Sequence, residues 1–281
     1  FYLGEKDSAY TSYFENGRIA ENGQYNKGTK VGVWEFWYVD SSLRKISKYD
    51  SLGTEHVGSY WDKNKNQTIT NGQGYKLSYY ENGNIKESYK YRDSLLHGEM
   101  KLLKASGKPL TMGNYEKGKK QGEWTTFFLL ADQIKTKKIF EADSLTGDYT
   151  KFFENGKINI QGTFLNNKKE GDWKWFDANG GKDMVGKFVA DKQSGDWTYY
   201  FPSGITKTKG EFLEGKKTGK WEFFYKDGKK QREGTYKNDV KNGEWIVWFE
   251  NSNMLHRGNF TNGKENGFWE SWYENGKKKD A

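Results

Sequence analysis

Cysteine is absent from this sequence, and proline occurs only twice in 281 residues. Without cysteine the chain has no disulfides, no thiolate zinc site and no thiol nucleophile. Leucine, isoleucine and valine are scarce too, because aromatic residues account for 17% of the chain and all hydrophobic residues for only 33%. This excludes a conventional aliphatic core, so aromatic rings must supply most of the buried surface.

Long apolar runs are also missing, since none approaches the roughly 18 residues of a membrane-spanning helix. The sequence begins at Phe1 instead of methionine and contains no signal peptide. A mature chain has this appearance after its export signal has been removed. We therefore expect an exported protein, with a cytoplasmic location as the alternative.

The chain has an excess of positive charge, with 46 Lys and Arg against 38 Asp and Glu and a net charge of +8. Such a balance is typical of proteins that bind nucleic acid or anionic membranes. The lysines recur at turns, as in Gly118-Lys119-Lys120 and Gly215-Lys216-Lys217, where any hairpin protein needs solvated residues. We interpret the charge as solvation of turns, and nucleic acid is not an expected partner.

What is abundant is glycine, with 34 residues in an internal repeat. A glycine, any residue and then a large side chain recur at intervals of 24 residues, with one interval of 25. Gly32-Val33-Trp34 and Gly74 belong to this series, and Ser8-Ala9-Tyr10 opens it in degenerate form. The regular members are Gly98-Glu99-Met100, Gly122-Glu123-Trp124, Gly147-Asp148-Tyr149, Gly171-Asp172-Trp173, Gly195-Asp196-Trp197, Gly219-Lys220-Trp221, Gly243-Glu244-Trp245 and Gly267-Phe268-Trp269.

Other positions keep the same phase. A second ring lies three residues after the tryptophan position, as at Phe176, and an Asn-Gly or Asp-Gly pair such as Asn155-Gly156 follows. Such pairs favour a type I′ turn, which needs positive φ at both central residues. Each unit therefore reads as strand, tight turn, strand, polar turn. The prediction is an all-β, elongated, single-layer twisted antiparallel sheet of about eleven 24-residue β-hairpin repeats. Rings three residues apart lie on both faces of the sheet unless a bulge brings them to one face.

The repeats form a single array over 1–281, with regular units in 8–49 and 74–281 and an irregular segment in 50–73. A second irregularity lies in 129–146, where one residue is added and Lys138 replaces a glycine. Residues shared by every repeat are expected to build the scaffold. A localised function is expected in the irregular segments if it exists, although a plain surface loop explains them as well.

Units such as Asn155-Gly156-Lys157, Gly162-Thr163-Phe164 and Lys168-Lys169-Glu170-Gly171-Asp172-Trp173 resemble bacterial variants of the MORN repeat, and the resemblance covers nearly the whole chain. It implies an elongated, non-enzymatic β protein that contacts other molecules. Bacterial members are often labelled antitoxin components of toxin–antitoxin systems, and MORN repeats elsewhere are associated with membrane attachment, phospholipids and scaffolding.

Residues that would indicate catalysis do not cluster in the sequence. His56, His97 and His256 fall in different units at different phases, so neither a metal site nor a catalytic triad is expected. The Gly-rich stretch at 71–74 lacks the lysine and serine or threonine of a phosphate loop. An acid recurs between the repeat glycine and the large side chain, and we expect these acids to pair with the lysines of the turns: Glu99, Glu123, Asp148, Asp172, Asp196 and Glu244.

The functional hypothesis is a non-enzymatic scaffold that binds another protein, at the bacterial cell envelope, with no cofactor and no metal. The alternatives are binding of a glycan or envelope ligand through the aromatic ladders, an antitoxin-like partnership with a toxin, and peripheral binding to anionic lipid through turns such as Lys277-Lys278-Lys279. The candidate contact surface consists of tryptophans: Trp61, Trp124, Trp173, Trp197, Trp221, Trp245 and Trp269.

Overall fold

The computed structural model describes residues 6–279, and these contain 23 strands and no helix. Phe1 and both ends of the predicted array lie outside the described residues. The described part falls into two compact units. The first unit extends to Asp132 and includes Phe140–Ser144, and the second includes Gln133–Ile139 and continues from Leu145.

The first unit contains the strands β1 to β11. Their bounds are β1 Ser8–Tyr13, β2 Ile19–Asn26, β3 Thr29–Trp37, β4 Leu43–Tyr49, β5 Glu55–Trp61, β6 Gln67–Thr70, β7 Gln73–Tyr79, β8 Ile85–Arg92, β9 Leu95–Leu103, β10 Pro109–Glu116 and β11 Lys119–Phe127.

The following strand, β12 (Ile134–Glu141), has residues in both units. The remaining strands form the second unit, apart from the first residue of β13. Their bounds are β13 Ser144–Phe152, β14 Ile158–Leu165, β15 Lys168–Phe176, β16 Lys182–Val189, β17 Lys192–Tyr200, β18 Thr206–Leu213, β19 Lys216–Phe224, β20 Lys230–Lys237, β21 Val240–Trp248, β22 Met254–Thr261 and β23 Lys264–Ser271.

Within each unit, every strand pairs antiparallel with the next strand in the chain, so each unit is a meander of hairpins. In the second unit, for example, β14 pairs with β15 and β15 with β16. The predicted fold class, all-β with antiparallel hairpin repeats, is confirmed. The irregular segment 50–73 contains the shortest described strand, β6, which has four residues.

The Asn-Gly turns differ from the prediction. At the turn after β13, Gly156 donates to the carbonyl of Phe153 (3.0 Å) and Phe153 donates to the carbonyl of Lys157 (2.8 Å). Gly156 has a φ of +81°, whereas Asn155 is not among the residues with positive φ. This is a three-residue hairpin loop, in which only the glycine adopts the left-handed conformation. The Asn155 carboxamide accepts a hydrogen bond from the Lys157 amide (3.1 Å), which stabilises the loop.

Two successive positive φ angles, the signature of a type I′ turn, occur instead at the opposite ends of the hairpins. Asn166 and Asn167 have φ of +50° and +66°, and Ala190 and Asp191 have +48° and +71°. The type I′ prediction was therefore wrong for the Asn-Gly pairs. The type I′ turns are the polar turns that connect β14 to β15 and β16 to β17.

The glycine of the Gly-x-Trp motif bends the strand. Gly171 has a φ of +66°, and Glu170 and Lys174 face Thr163 and Gln161 of β14, so three residues of β15 lie opposite one. Ser8, in the degenerate opening of the series, has the same left-handed conformation, with a φ of +74°. Rings lie on both faces of the strand: Trp173 and Trp175 share one face, and alternation places Phe176 on the other.

Candidate functional site: the ring ladder and the cleft beside β7

Aromatic rings of successive strands pack edge to face on one side of each unit. Trp197 lies 5.2 Å from Phe188 and 5.7 Å from Phe212, with near-perpendicular rings at both contacts. We call this continuous row the ring ladder. In the second unit it consists of Tyr149, Phe164, Trp173, Phe188, Trp197, Phe212, Trp221, Tyr236, Trp245, Phe260 and Trp269. Edge-to-face pairs add to the stabilisation that burial provides.

Each ladder tryptophan lies flat over a glycine of the preceding strand. A Cβ atom at Gly186 would lie 2.1 Å from the Trp197 ring, and the six equivalent glycines (Gly23, Gly113, Gly162, Gly210, Gly234 and Gly258) leave 2.1–2.3 Å. The Trp197 indole donates to the carbonyl of Lys187, the residue after the glycine, at 3.2 Å. The same bond is made by Trp34, Trp124, Trp221 and Trp245. These glycines have ordinary φ angles, so the close approach of the ring is what requires them.

The sequence follows this rule where the tryptophan is missing. The glycine lies 11 residues before its tryptophan, as at Gly186 and Trp197. Met100 replaces the tryptophan in one repeat, and Tyr89 then stands in the glycine position. Tyr149 replaces it in another, and Lys138 then stands in the glycine position. The unusual Lys138 is therefore explained by the loss of the indole.

Lysines of the turns cover the ladder. Lys217 lies with its ammonium group 4.7 Å from the Trp221 ring centre and 5.2 Å from that of Tyr236. Four further repeats have a lysine at the same position over their tryptophan: Lys30, Lys120, Lys169 and Lys241. Gln193 occupies this position before Trp197, and Glu265 occupies it before Trp269. The apolar stem and the charge both contact the rings, which is a cation–π arrangement.

This position of the lysines corrects the predicted pairing with the acids of the Gly-x-Trp motif. Where ion pairs of these acids are resolved, the partners are strand residues, Lys101 for Glu99 at 2.7 Å and Arg257 for Glu244 at 3.7 Å. The acids lie on the face opposite the indoles, because they are adjacent to the tryptophans in an extended strand. The turn lysines lie over the rings, on the indole face of the sheet, and therefore do not meet these acids.

The predicted contact surface of tryptophans is also corrected for five of its seven members. Trp124, Trp173, Trp197, Trp221 and Trp245 are at most 5% exposed, because they form the core of the ladder. Trp61 and Trp269 are half-buried. A surface that stacks sugars or lipid headgroups needs exposed rings, so these five indoles build the scaffold.

The three histidines lie on different strands. His56 approaches Asp50 of the neighbouring turn at 3.6 Å, and the Nδ1 atom of His256 lies 3.1 Å from the Ser271 hydroxyl. His97 lies on β9. Among residues 6–279, no group of three or more His, Asp or Glu side chains has the arrangement of a metal site.

A half-buried polar cluster links β4 and β5 in the first unit. The Lys45 ammonium group lies 2.5 Å from the Glu55 carboxylate, which also accepts a hydrogen bond from the Tyr49 hydroxyl at 2.9 Å. Burial alone raises the pKa of Glu55, but the bonds from Lys45 and Tyr49 outweigh it and lower that pKa below its usual range. Burial lowers the pKa of Lys45, and Glu55 opposes this shift. The cluster holds a charged carboxylate inside a half-buried site.

A cleft of about 820 Å³ lies in the first unit, between the turn that follows β5 and the turn that follows β7. The residues that line it include Tyr38, Arg44, Tyr60, Asp62, Ser78, Tyr80 and Glu87. The Tyr38 hydroxyl donates to the carbonyl of Trp61 at 2.9 Å, and the Tyr80 hydroxyl donates to that of Leu103 at 2.8 Å. Both rings are therefore fixed in place, and the cleft is a concave site with several convergent polar groups.

The sequence contains the signal for this cleft, although the initial prediction missed it. Counting from Gly74, Lys76 stands in the position of Trp34, and Ser78 stands in the position of Phe36. Two large rings are thus replaced by a lysine and a serine immediately after the irregular segment. An explicit count of ladder positions would have identified the gap.

No helix among the described residues has the length and apolar character needed to cross a membrane.

Comparison with known proteins gives one family and a set of solved structures. The family model described as MORN repeat variant matches residues 73–93, 145–166 and 217–238. No curated protein matches the chain significantly. Among solved structures, a complex of TcdB2-TccC3 with Cdc42 is 9% identical, covers 95% of this chain and 16% of its own, and has a TM-score of 0.20.

The Photorhabdus luminescens Tc holotoxin pore is likewise 9% identical, with 96% of this chain and 18% of its own covered and a TM-score of 0.20. The chain thus spans less than a fifth of the length of these two proteins. The second and third family segments begin 72 residues apart, which is three 24-residue periods, so these two match the repeat in the same phase. In these segments the chain is similar to the MORN repeat variant, a repeat of β-hairpins.

Proposed function

We propose that this chain is a non-enzymatic repeat scaffold that binds another protein. The observation that carries the proposal is that the recurring residues are used within the fold itself. The indole of Trp197 covers Gly186, and Lys217 covers the ring of Trp221. The similarity of three segments to MORN repeats, which suggests a scaffold for protein or membrane interaction, supports the same function.

A protein partner is favoured over a glycan or a membrane, because the indoles that would stack on a glycan are buried and the lysines that would bind anionic lipid already have partners. The regular indoles are buried, so they offer no stacking face. At the terminal turn, Lys278 pairs with Glu270 at 2.7 Å, and Lys279 lies 5.0 Å from the Tyr273 ring. These lysines already have intramolecular partners, which weakens their attraction for anionic lipid. Location at a cell envelope is part of the proposal.

The proposal is tested by capture with the full chain from extracts of its source organism, followed by purification of the captured protein. We expect one protein to bind the purified chain by isothermal titration calorimetry. Deletion of 162–209, which joins Gln161 to Gly210 in phase, tests the contribution of the regular repeats. Binding to glycan arrays or anionic vesicles without any protein partner would contradict the scaffold function.

A further inference from the structure

The cleft beside β7 is a gap in the ring ladder. In the repeat of β3, Trp34 and Phe36 are both buried, with their ring centres 6.1 Å apart. Lys76 and Ser78 occupy these positions on β7. The Lys76 ammonium group lies 5.6 Å from the centre of the Tyr89 ring, and Ser78 lines the cleft together with Tyr60 and Tyr80. The ladder therefore lacks an aromatic ring at this place, and an aromatic side chain would fit the space.

The same gap exposes a strand edge. On its β6 side, β7 pairs only at Gln73 and Gly74. On its β8 side it pairs from Gly74 to Tyr79. Within the described residues, 75–79 therefore have no strand partner toward β6. A strand with one unpaired edge offers backbone amides and carbonyls to an extended peptide, which is β-strand addition.

Polar groups of the cleft are also without partners in the described part of the chain. The Ser78 hydroxyl is buried and makes no hydrogen bond. The half-buried Arg44 guanidinium lies 5.7 Å from the Phe36 ring and has no ion pair, and the half-buried Glu87 carboxylate has none either. Buried polar groups and charges ordinarily have partners, because leaving them unpaired is costly.

These groups define the chemistry of an occupant. A half-buried guanidinium pairs well with a carboxylate, often through two parallel hydrogen bonds. Serine and glutamate oxygens accept hydrogen bonds, as an indole N–H or a peptide N–H requires. The other charges on the wall balance, with Lys63 and Lys86 against Asp62 and Glu81, so the unpaired Arg44 is the group that favours an acidic residue in the occupant.

We propose that this cleft binds an extended peptide segment of the protein partner, which adds to the free edge of β7 and inserts one aromatic side chain, next to an acidic residue, into the ladder gap. The aromatic side chain, best a tryptophan, lies over Ser78 between Tyr60 and Tyr80, with its N–H toward Ser78 or Glu87. The acidic residue pairs with Arg44. The inference rests on the proposed scaffold function and assigns its site and the chemistry of its partner.

A displayed library of random linear dodecapeptides, selected on the full chain, tests the inference. The expected result is enrichment of peptides with an aromatic residue next to an acidic one. Synthetic versions of the enriched peptides should bind the chain by fluorescence anisotropy. Failure of any peptide to enrich, or enrichment without the aromatic residue, overturns the inference.

Two substitutions locate the binding. Ser78→Phe fills the gap and should weaken peptide binding by about tenfold or more, as the loss of one well-made contact does. The control Ser203→Phe adds the same ring at an exposed turn and should leave the affinity unchanged. Equal binding to wild type and Ser78→Phe overturns the inference.

Arg44→Gln tests the acidic contact without filling the cleft. It should weaken a peptide that carries the acid by about tenfold, the effect of losing one charge-assisted hydrogen bond. It should leave the affinity unchanged for the same peptide with glutamine in place of the acid. Equal losses for both peptides would overturn the pairing with Arg44, even if Ser78→Phe failed to fold.

The outcome is distinguishable from that of the scaffold proposal. If Ser78→Phe and Arg44→Gln keep full affinity for a captured partner protein, the scaffold function stands and the cleft is not its site. If no partner protein is captured but the peptides bind as described, the cleft stands and the scaffold function does not.

Discussion

The indole of Trp197 lies across Gly186, so close that a methyl group on this glycine would sit 2.1 Å from the ring. The indole N–H reaches the carbonyl of the next residue, Lys187, at 3.2 Å. A glycine on one strand and a tryptophan on the next therefore act as one packing element, which recurs through the ring ladder.

Gly186→Ala should destabilise the chain, because the added methyl group forces the indole off its glycine. Overpacking of this kind costs about 1–3 kcal/mol of the free energy of unfolding. Thermal and urea unfolding measure the loss. Gly58→Ala is the matched control, since its Cβ would lie 3.5 Å from the nearest atom. Equal effects of the two substitutions would contradict the role of the indole.

Lys217→Gln should lower stability by about 0.5–1 kcal/mol, the usual size of an exposed cation–π contact. Glutamine is tolerated at this position, since Gln193 occupies it in the preceding repeat. The control is Lys216→Gln, which removes an equal charge from an exposed neighbour. If urea unfolding gives the same change for both variants, the contribution is one of net charge and not of the ring contact.

Stability should fall in acid partly through Glu55. Its pKa is lowered in the folded chain, so the carboxylate contributes stability above its ordinary pKa of 4.5. That contribution is lost as the pH falls through the lowered folded value. Glu55→Gln should therefore flatten the decline in melting temperature below about pH 4.5. Glu116→Gln, at an exposed position, serves as the control; an unchanged acid profile in Glu55→Gln would refute the prediction.

Ala190→Asn should stabilise the turn between β16 and β17. Alanine at a φ of +48° is unfavourable by about 1–2 kcal/mol, and asparagine tolerates this conformation better. We expect a higher melting temperature, with a gain of up to about 1 kcal/mol. Ala178→Asn, at a turn residue without positive φ, should show no gain. A gain of the same size there would point to a general effect of the amide.

The repeat allowed the strands and their antiparallel order to be predicted, because the period places each ring in the same local setting. Positions such as Trp173 and Phe188 recur in phase and meet in the ladder as a result. The turn type was wrong because Asn-Gly suits two loop lengths, and the choice at Asn155 depends on how β13 and β14 are paired.

The functional surface was harder to predict from residue types. Tryptophans suggest binding when they are exposed, yet sequence alone does not show that Trp221 is covered by Lys217 on one side and packed against Phe212 on the other. The cleft exists because Lys76 and Ser78 replace two rings of the ladder. A motif search detects residues that are present and does not detect such a missing ring. Arg44, which also lines the cleft, belongs to a different repeat, so its presence there could be predicted only after the strand pairing was known.

The joint packing of a glycine and a tryptophan constrains how such an array evolves. A substitution of either member alone destabilises the repeat: a larger residue in place of the glycine clashes with the ring, and a smaller residue in place of the tryptophan leaves a cavity. Tyr89 with Met100 and Lys138 with Tyr149 are two places where both members differ. Repeats are therefore expected to vary freely at their outward positions, whereas the two members of each pair change together. In related chains, a substitution at one member should be accompanied by a substitution at the other.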